Sequence, residues 1–246
     1  IAVFEQPTSG EILLAGQPAA VRWKTLLPTY DVFDETRYFE PAGENAPIRY
    51  KGRRLGLTIC EDAWATDPAG RRKMYARDPV KEQARAGADV LINISASPFV
   101  RGKTRRRLEL LSAHARRARL PLLYCNLVGG NDEIVFDGAS LALDAHGRLA
   151  ARGALCAEDL MILDLEALAK PLTASWPSEI SEIGEALCLG IRDYVTKCGF
   201  SKVLLGLSGG IDSAVVAALA CRALGASNVT GVMMPSIYSS PGSLTD

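Results

Sequence analysis

The stretch that most constrains the fold is VLLGLSGGIDSAVVAALACRALG, residues 203–225. Its apolar start predicts a buried strand, its glycine-rich centre a turn, and its alanine-rich end a helix. A second apolar strand pattern, NVTGVMMPS, follows at residues 228–236. This order predicts a parallel βαβ unit, because a helical crossover returns the chain to the same sheet. Such units bind ligands at the carboxyl ends of their strands, where the glycine turn lies.

The turn is compatible with more than one chemistry. Gly206, Ser208 and Gly210 spell G-x-S-x-G, the pattern of a serine-hydrolase nucleophile elbow. That reaction uses a histidine later in the chain, whereas His114 and His146 both precede Ser208. A Walker loop would need a lysine after its second glycine, and none stands there. The residues therefore favour an anion cradle over an elbow.

An anion cradle is built from the residue types of this turn. Gly209 and Gly210 allow the main chain to approach an anion closely, and Ser208 and Ser213 add hydroxyl donors. The start of the following helix contributes positive potential. Asp212 supplies a carboxylate that can hold a magnesium ion beside phosphates. A strand-to-helix turn without any ligand is the structural alternative.

The rest of the chain predicts a layered α/β domain followed by a linker. The strand patterns are residues 53–60, 89–95, 120–127, a hairpin at 140–153, and 159–165. The helical patterns are residues 80–88, 103–120 and 181–199. Pro171 and Pro177 interrupt both periodicities. We therefore expect a first domain at residues 1–165, a linker at 166–179, and a second domain at 180–246.

Composition limits the partners and the compartment. Lys plus Arg and Asp plus Glu balance at 28 each, so no net charge attracts nucleic acid or a membrane. No apolar run approaches the roughly 20 residues of a membrane-spanning helix. Six cysteines without a C-x-x-C or zinc spacing favour reduced thiols and a cytoplasmic location. We expect small-molecule substrates, and neither nucleic acid nor a membrane as a partner.

Basic residues are concentrated at residues 101–119. Such basic stretches are also typical of RNA-binding proteins. The stretch contains no Phe, Trp or Tyr, and single-strand recognition usually relies on aromatic stacking. A solvated or subunit-facing helix, with Lys103 reaching towards a substrate pocket, is the favoured interpretation.

Cys60 is the candidate nucleophile. It ends the apolar strand pattern LGLTIC and precedes two carboxylates and Trp64, which places the thiol at a sheet edge. A buried structural cysteine is the alternative, because free cysteines are mostly core residues. A reactive thiolate needs a base and a cation nearby. Since His114 and His146 lie in a basic helix and a hairpin tip, a lysine with a carboxylate fits the composition better.

Four segments of the first domain resemble a known family. KTLLPTYDVFDETRYF (24–39) and ICEDAW (59–64) resemble the glutaminase domains of glutamine-dependent NAD synthetases. NISASPFVRGK (93–103) and YCNLVGGNDEIVFDGAS (124–140) resemble the same domains. Those domains belong to the nitrilase, or carbon–nitrogen hydrolase, superfamily. The resemblance implies an αββα sandwich, with residues 126–132 shaping the pocket or the ammonia route.

The resemblance also implies roles for individual residues. In the family, a cysteine attacks the glutamine carboxamide, a lysine stabilises the oxyanion, and a glutamate acts as base. Cys60 matches the nucleophile, Lys24 the lysine, and Glu35 a second, supporting glutamate. Tyr30, Ser97 and Lys103 match positions that bind glutamine. Without the resemblance, a lone lysine such as Lys24 is usually a solvated side chain.

GLSGGIDSA resembles the pyrophosphate loop of the N-type ATP pyrophosphatases, and MPSIYSSPGSLTD (234–246) resembles the segment that follows it in NAD synthetases. The resemblance implies the start of a Rossmann-like parallel α/β domain and ligation of deamido-NAD with ammonia. ATP and Mg²⁺ are the expected cofactors, with glutamine and deamido-NAD as substrates and Asp212 as a metal ligand. The implied ATP-binding residues are Gly206, Leu207, Ser208, Gly209, Gly210, Ile211, Asp212 and Ser213.

The match departs from the family pattern at the triad glutamate, which the family carries in a P-E-L segment. Neither Glu5 nor Glu11 lies in that context, so we expect an internal part of a longer enzyme, one that assembles as a homo-oligomer. Two alternatives stay open. One is a stand-alone nitrilase-like amidase with a vestigial C-terminal segment, and the other is a truncated protein without activity.

Overall fold

The structure is a computed structural model that describes residues 9–14, 17–66, 74–168, 171–173 and 175–234. Glu5 and the NAD-synthetase-like segment 235–246 lie outside the described residues. In chain order the strands are β1 (Ser9–Leu14), β2 (Gln17–Trp23), β3 (Ile48–Tyr50), β4 (Arg53–Ile59), β5 (Val90–Ser95), β6 (Leu122–Asn126), β7 (Val128–Asn131), β8 (Ile134–Asp137), β9 (Leu141–Leu143), β10 (Leu149–Arg152), β11 (Val203–Leu207) and β12 (Val229–Met233). The α-helices are α1 (Pro79–Arg85), α2 (Lys103–Ala118), α3 (Glu179–Lys197) and α4 (Ile211–Leu224).

A six-stranded sheet with the order β10-β9-β6-β5-β4-β3 organises the first part of the chain. Strands β4, β5 and β6 at its centre are parallel, with Ile59 paired to Ile94 and Ser95 to Asn126. Parallel strands end at the same sheet edge. The residues that follow β4, β5 and β6 therefore lie side by side there.

Helices α1 and α2 cover one face of this sheet. Val80 of α1 and Leu111 of α2 pack into one apolar cluster with Leu91, Leu122 and Leu143 from three strands. The start of α1 follows its sequence signals, because Asp78 accepts a hydrogen bond from the Lys81 N–H and Pro79 occupies the first turn. The predicted hairpin at 140–153 is confirmed as the antiparallel pair β9–β10. The other strands of the described residues form two-stranded sheets, β1–β2, β7–β8 and β11–β12.

The strand predicted at residues 159–165 is wrong. Leu160 and Ile162 are almost fully exposed, and a short 3₁₀ turn, Leu165–Ala167, closes the segment. Asp159 accepts a hydrogen bond from the Ala154 N–H at 2.9 Å, which holds this part of the chain in a turn. Alternating apolar residues form a strand only where a sheet edge is free to pair, and no described strand pairs with this segment.

The predicted βαβ unit is confirmed. Strands β11 and β12 are parallel, with Val203 paired to Val229 and Leu207 to Met233, and α4 forms the crossover. The fold is therefore α/β in both parts of the chain.

Helix α3 connects the two parts. Ala186 and Leu189 of α3 pack with Cys156 and Val135, and the Gly130 N–H of the β7–β8 hairpin donates to Asp193 at 2.8 Å. The same helix packs on α4, so it lies between the β7–β8 hairpin and α4.

Candidate active site

Cys60 stands immediately after β4, at the start of the 3₁₀ turn Cys60–Ala63. Its φ angle is +45°, a left-handed conformation that non-glycine residues rarely adopt. Such strain persists only where the surrounding structure enforces it, and it concentrates at functional sites. The residue is partly exposed at the shared edge of the parallel strands, and its thiol is buried there. The structure therefore places Cys60 at the sheet edge where α/β proteins bind their ligands.

Lys24 and Glu35 form a buried ion pair beside this edge. The Lys24 Nζ lies 2.6 Å from both Oε1 and Oε2 of Glu35, and the two residues are 2% and 8% exposed. Lys24 follows β2, and Glu35 opens the 3₁₀ turn Glu35–Arg37 after the Leu27-Pro28 turn. The Glu35 N–H donates to the Pro28 carbonyl at 3.1 Å, which fixes the start of that turn. The ammonium is thus held in one place.

The electrostatics of Cys60 depend on these neighbours. Burial raises the pKa of the Cys60 thiol, and the carboxylates of Glu61 and Glu35 raise it further. The Lys24 ammonium and a hydrogen bond from the Ala96 N–H lower the thiol pKa. Cys60, Lys24 and Glu35 therefore form one electrostatic cluster, in which the lysine favours the thiolate.

Glu61 is a functional candidate that sequence reasoning missed. It is 4% exposed, and its two carboxylate oxygens accept hydrogen bonds from the hydroxyls of Tyr30 at 2.8 Å and Tyr75 at 2.9 Å. Burial raises the pKa of Glu61, and the two hydroxyls, Lys24 and Lys103 oppose that rise. Its position directly after Cys60 was the only sequence signal available.

Lys103 and Ser97 flank the site from the next strand and helix. Lys103 begins α2, lies 5.8 Å from the centre of the Trp64 ring, and is close enough to Cys60 and Glu61 to interact with their charges. Burial lowers the pKa of the Lys103 ammonium. Ser97 follows β5 and is 2% exposed, and its N–H donates to Asn126 Oδ1 at 3.0 Å.

Behind Ser97 lies a buried charged network. Arg107 and Asp137, each 1% exposed or less, form two parallel hydrogen bonds of 3.2 and 3.0 Å. Asp137 also accepts a hydrogen bond from Asn126 Nδ2 at 3.1 Å. The Ser97 hydroxyl lies 3.5 Å from the Arg107 guanidinium. This network holds the ends of β5, β6 and β8 together.

The glycine turn forms a separate candidate site between β11 and α4. Gly209 has a φ of +73°, and the Ser208 N–H donates to Ser213 Oγ at 3.2 Å. The Gly210 N–H approaches Ser208 Oγ at 3.4 Å, and the two hydroxyl oxygens lie 3.1 Å apart. Asp212 is exposed in the first turn of α4. The hydroxyls and N–H groups thus converge at an open helix start.

Across the described part of the chain, no group of three or more His, Cys, Asp or Glu side chains could hold a metal ion. At the turn, Asp212 contributes an exposed carboxylate. Among the described helices, none is both long enough and apolar enough to cross a membrane.

The structure brings some of the predicted site residues together and separates others. Lys24, Glu35, Cys60 and Lys103 meet at the edge of the six-stranded sheet, where Tyr30 reaches Glu61. The glycine turn belongs to the β11–β12 unit. The chain thus carries two distinct candidate sites.

Comparisons with known proteins follow the same division. The sequence model of the family described as carbon-nitrogen hydrolase matches residues 10–172, and that of the family described as NAD synthase matches residues 183–246. The chain is 46% identical over 228 residues to a glutamine-dependent NAD(+) synthetase from Synechocystis sp., which covers 91% of the chain and 41% of that protein. It is 42% identical over 245 residues to a glutamine-dependent NAD(+) synthetase from Rhodobacter capsulatus, covering 96% of the chain and 42% of the relative.

A solved structure is similar over nearly the whole chain. The glutamine-dependent NAD+ synthetase from Acinetobacter baumannii in complex with ADP has a TM-score of 0.85 and 36% identity, covering 96% of this chain and 44% of that one. The chain therefore spans less than half the length of the relatives it matches.

Proposed function

Because this chain belongs to the carbon–nitrogen hydrolase family, we propose that it hydrolyses the side-chain amide of glutamine at Cys60. The observation that carries the proposal is the Lys24 ammonium, held by Glu35 inside the electrostatic cluster of Cys60. The relatives named above are glutamine-dependent NAD(+) synthetases, which supports glutamine as the amide donor.

The chemistry follows from these positions. The Cys60 thiolate attacks the carboxamide carbon, and the oxyanion of the tetrahedral intermediate forms within reach of the Lys24 ammonium. Both oxygens of Glu35 already accept hydrogen bonds from Lys24, so Glu35 orients the ammonium and does not take the thiol proton. A general base other than Glu35 takes the thiol proton and returns it to the amide nitrogen, so collapse of the intermediate releases ammonia and leaves a Cys60 thioester. Water then adds to the thioester, giving glutamate and the free thiol.

The charges around Cys60 suit an amino-acid substrate. Glu61 is a buried carboxylate that can receive the α-ammonium group, and Tyr30 fixes one of its oxygens. Lys103 supplies a cation for the α-carboxylate. Ser97 is buried at the same sheet edge, directly after β5. One positive and one negative side chain beside the nucleophile match a zwitterion better than a simple amide.

We further propose that the ammonia is used at the glycine turn. There Gly206–Ser213 would bind the phosphates of ATP, which adenylates deamido-NAD and releases pyrophosphate before ammonia displaces AMP. The exposed turn Ser208–Gly210 at the start of α4, with two serine hydroxyls 3.1 Å apart, supports this role.

A magnesium ion fits the donor set of the turn. Mg²⁺ in nucleotide sites is usually held by one or two carboxylates together with phosphate oxygens. Asp212 supplies one exposed carboxylate beside the turn. When bound, the ion would neutralise charge on the pyrophosphate leaving group.

We propose the domain limits 1–165 and 180–246, joined by residues 166–179, and a cytoplasmic homo-oligomer. All six cysteines are free thiols, which agrees with a reducing compartment. Exposed apolar side chains such as Tyr194, Leu204 and Val216 support burial against further protein. Light scattering of the intact protein measures the number of subunits.

The proposal is tested by glutamate release and pyrophosphate release from the intact protein. With glutamine, ATP and deamido-NAD, Cys60→Ala should release no glutamate, whereas Cys125→Ala, an exposed thiol on β6, should keep wild-type turnover. With ammonium chloride in place of glutamine, Cys60→Ala should release pyrophosphate normally and Asp212→Ala should not. Amide hydrolysis without any ATP-dependent step would favour a stand-alone amidase, and absence of both activities would contradict the proposal.

A further inference from the structure

We propose that Asp62 is a positioning residue for glutamine hydrolysis, because its one carboxylate joins the segment that carries Lys24 to the turn that carries Cys60. The inference rests on the proposed function for its catalytic consequence. The juxtaposition itself is a property of the structure.

The two carboxylate oxygens of Asp62 accept hydrogen bonds from different segments of the chain. Oδ1 accepts hydrogen bonds from the Thr25 N–H at 2.9 Å and the Leu26 N–H at 2.8 Å, directly after Lys24. Oδ2 accepts a hydrogen bond from the Ile59 N–H at 2.9 Å, directly before Cys60. The first contacts fix the lysine segment, and the last closes the nucleophile turn.

This arrangement matters because Cys60 is held in a left-handed conformation. A φ of +45° is unfavourable for a cysteine and needs support from its surroundings. The Asp62–Ile59 bond spans three residues across the strained position. The same carboxylate therefore sustains the Cys60 conformation and sets where the Lys24 segment lies relative to it.

Asp62 is held as a buried acceptor. It is 1% exposed, and its three donors are main-chain N–H groups, which are fixed dipoles. An asparagine in its place has one acceptor oxygen and one NH₂ group. Whichever way the amide is turned, the NH₂ group faces a backbone donor, and one of the two segments loses its contact.

Asp144 provides a matched control in the same chain. It is also buried, at 5% exposed, and its carboxylate accepts hydrogen bonds from the His146 and Arg148 N–H groups at 2.9 and 2.8 Å. Those bonds close the turn between β9 and β10, within a single hairpin. Asp144 also pairs with the Arg148 guanidinium at 2.6 Å. Asp144→Asn thus alters a buried carboxylate that closes a turn but does not connect two segments of the active site.

The test compares Asp62→Asn with Asp144→Asn in the intact protein. We expect Asp62→Asn to lower kcat for glutamate release about 100-fold with KM changed less than about threefold, since a displacement of about 1 Å between reacting groups costs that much. Alkylation of Cys60 by iodoacetamide, followed by mass spectrometry of its peptide across pH, should show a midpoint shifted upward, because the thiol loses part of its lysine partner. Asp144→Asn should show the wild-type kcat and the wild-type midpoint.

A wild-type alkylation midpoint in Asp62→Asn would overturn the inference, whatever happens to kcat. If Asp62→Asn does not fold, Asp62→Glu keeps the charge but moves the carboxylate by one methylene, and the same upward shift is expected. Failure of the proposed function looks different. The wild-type protein would then release no glutamate, while the shifted midpoint of the Asp62 variants would still show the link between Lys24 and Cys60.

Discussion

The Lys24 ammonium lies 2.6 Å from both carboxylate oxygens of Glu35, and both residues are buried. A buried ion pair costs much desolvation free energy and is retained where it fixes a geometry. Here the geometry is that of a cation beside the Cys60 thiol. The pair therefore connects the stability of the domain with the chemistry proposed for it.

Glu35→Gln should lower both the stability of the domain and the rate of the proposed glutamine hydrolysis. The substitution leaves the Lys24 charge buried without its counter-charge, so we expect a loss of about 3–5 kcal/mol in the free energy of unfolding, measured by urea denaturation. Glutamate release should fall about 100-fold, because the ammonium is no longer fixed in place. Glu166→Gln, which removes the exposed partner of Arg53, should cost less than about 1 kcal/mol. Equal losses for the two variants would contradict this account of the pair.

Lys24→Met should raise the pKa of the Cys60 thiol. Lys24 is the largest influence that lowers this pKa, against the effects of burial and of Glu61. Its removal leaves the Ala96 hydrogen bond and the weaker influence of Lys103 and Arg107 to oppose the rise. The thiolate fraction, and with it the rate of iodoacetamide alkylation, should then rise at a higher pH than in the wild-type protein. Methionine keeps much of the side-chain volume, which limits the effect of packing. An unchanged or lowered midpoint would show that the lysine does not act on the thiol.

Asp62 should make stability depend on pH in an acidic window. Burial raises the pKa of Asp62 from its usual 3.8 to about 6, although three backbone donors and Lys24 lower it. The folded protein therefore binds this proton more tightly than the unfolded chain does. Its stabilising contribution is full below about pH 3.8 and is lost as the pH rises through about 6, which amounts to at most about 3 kcal/mol.

The difference between wild type and Asp62→Asn isolates this contribution. We expect the free energy of unfolding of the wild-type protein, relative to the variant, to fall between pH 4 and pH 7. A difference that stays constant across this range would mean that the Asp62 pKa is the same in the folded and unfolded states.

Asp137→Asn should destabilise the domain strongly. It leaves the Arg107 guanidinium buried without a counter-charge, and Asn126 loses a partner. We expect a loss of about 3–5 kcal/mol in urea denaturation. Asp34→Asn, in an exposed pair with Arg37, should cost less than about 1 kcal/mol. A loss below 1 kcal/mol for Asp137→Asn would contradict the role assigned to the buried pair.

Local sequence patterns predicted much of this fold. The βαβ unit around GLSGGIDSA and the strands that precede Cys60 and Ser97 follow from apolar runs, capping residues and glycine turns. The strand prediction at residues 159–165 was wrong. Alternation of apolar and polar residues reports a preference for strand conformation, but it does not show whether a sheet edge is available for pairing.

The site was less accessible to sequence reasoning. The resemblance led to Lys24, Glu35 and Cys60, which the structure brings together. It did not lead to Glu61 or Asp62, whose partners include residues more than 30 positions away in the chain. Contacts of that kind depend on how strands and loops assemble, and no local period encodes them.

The most direct test of the central claim follows the amide nitrogen. The intact protein is incubated with amide-¹⁵N glutamine, ATP and deamido-NAD, and the mass of the NAD carboxamide is measured. We predict ¹⁵N-labelled NAD from the wild-type protein, and none from Cys60→Ala, which should still form unlabelled NAD when ammonium chloride is added. Labelled NAD from Cys60→Ala, or no labelled NAD from the wild-type protein, would contradict the account.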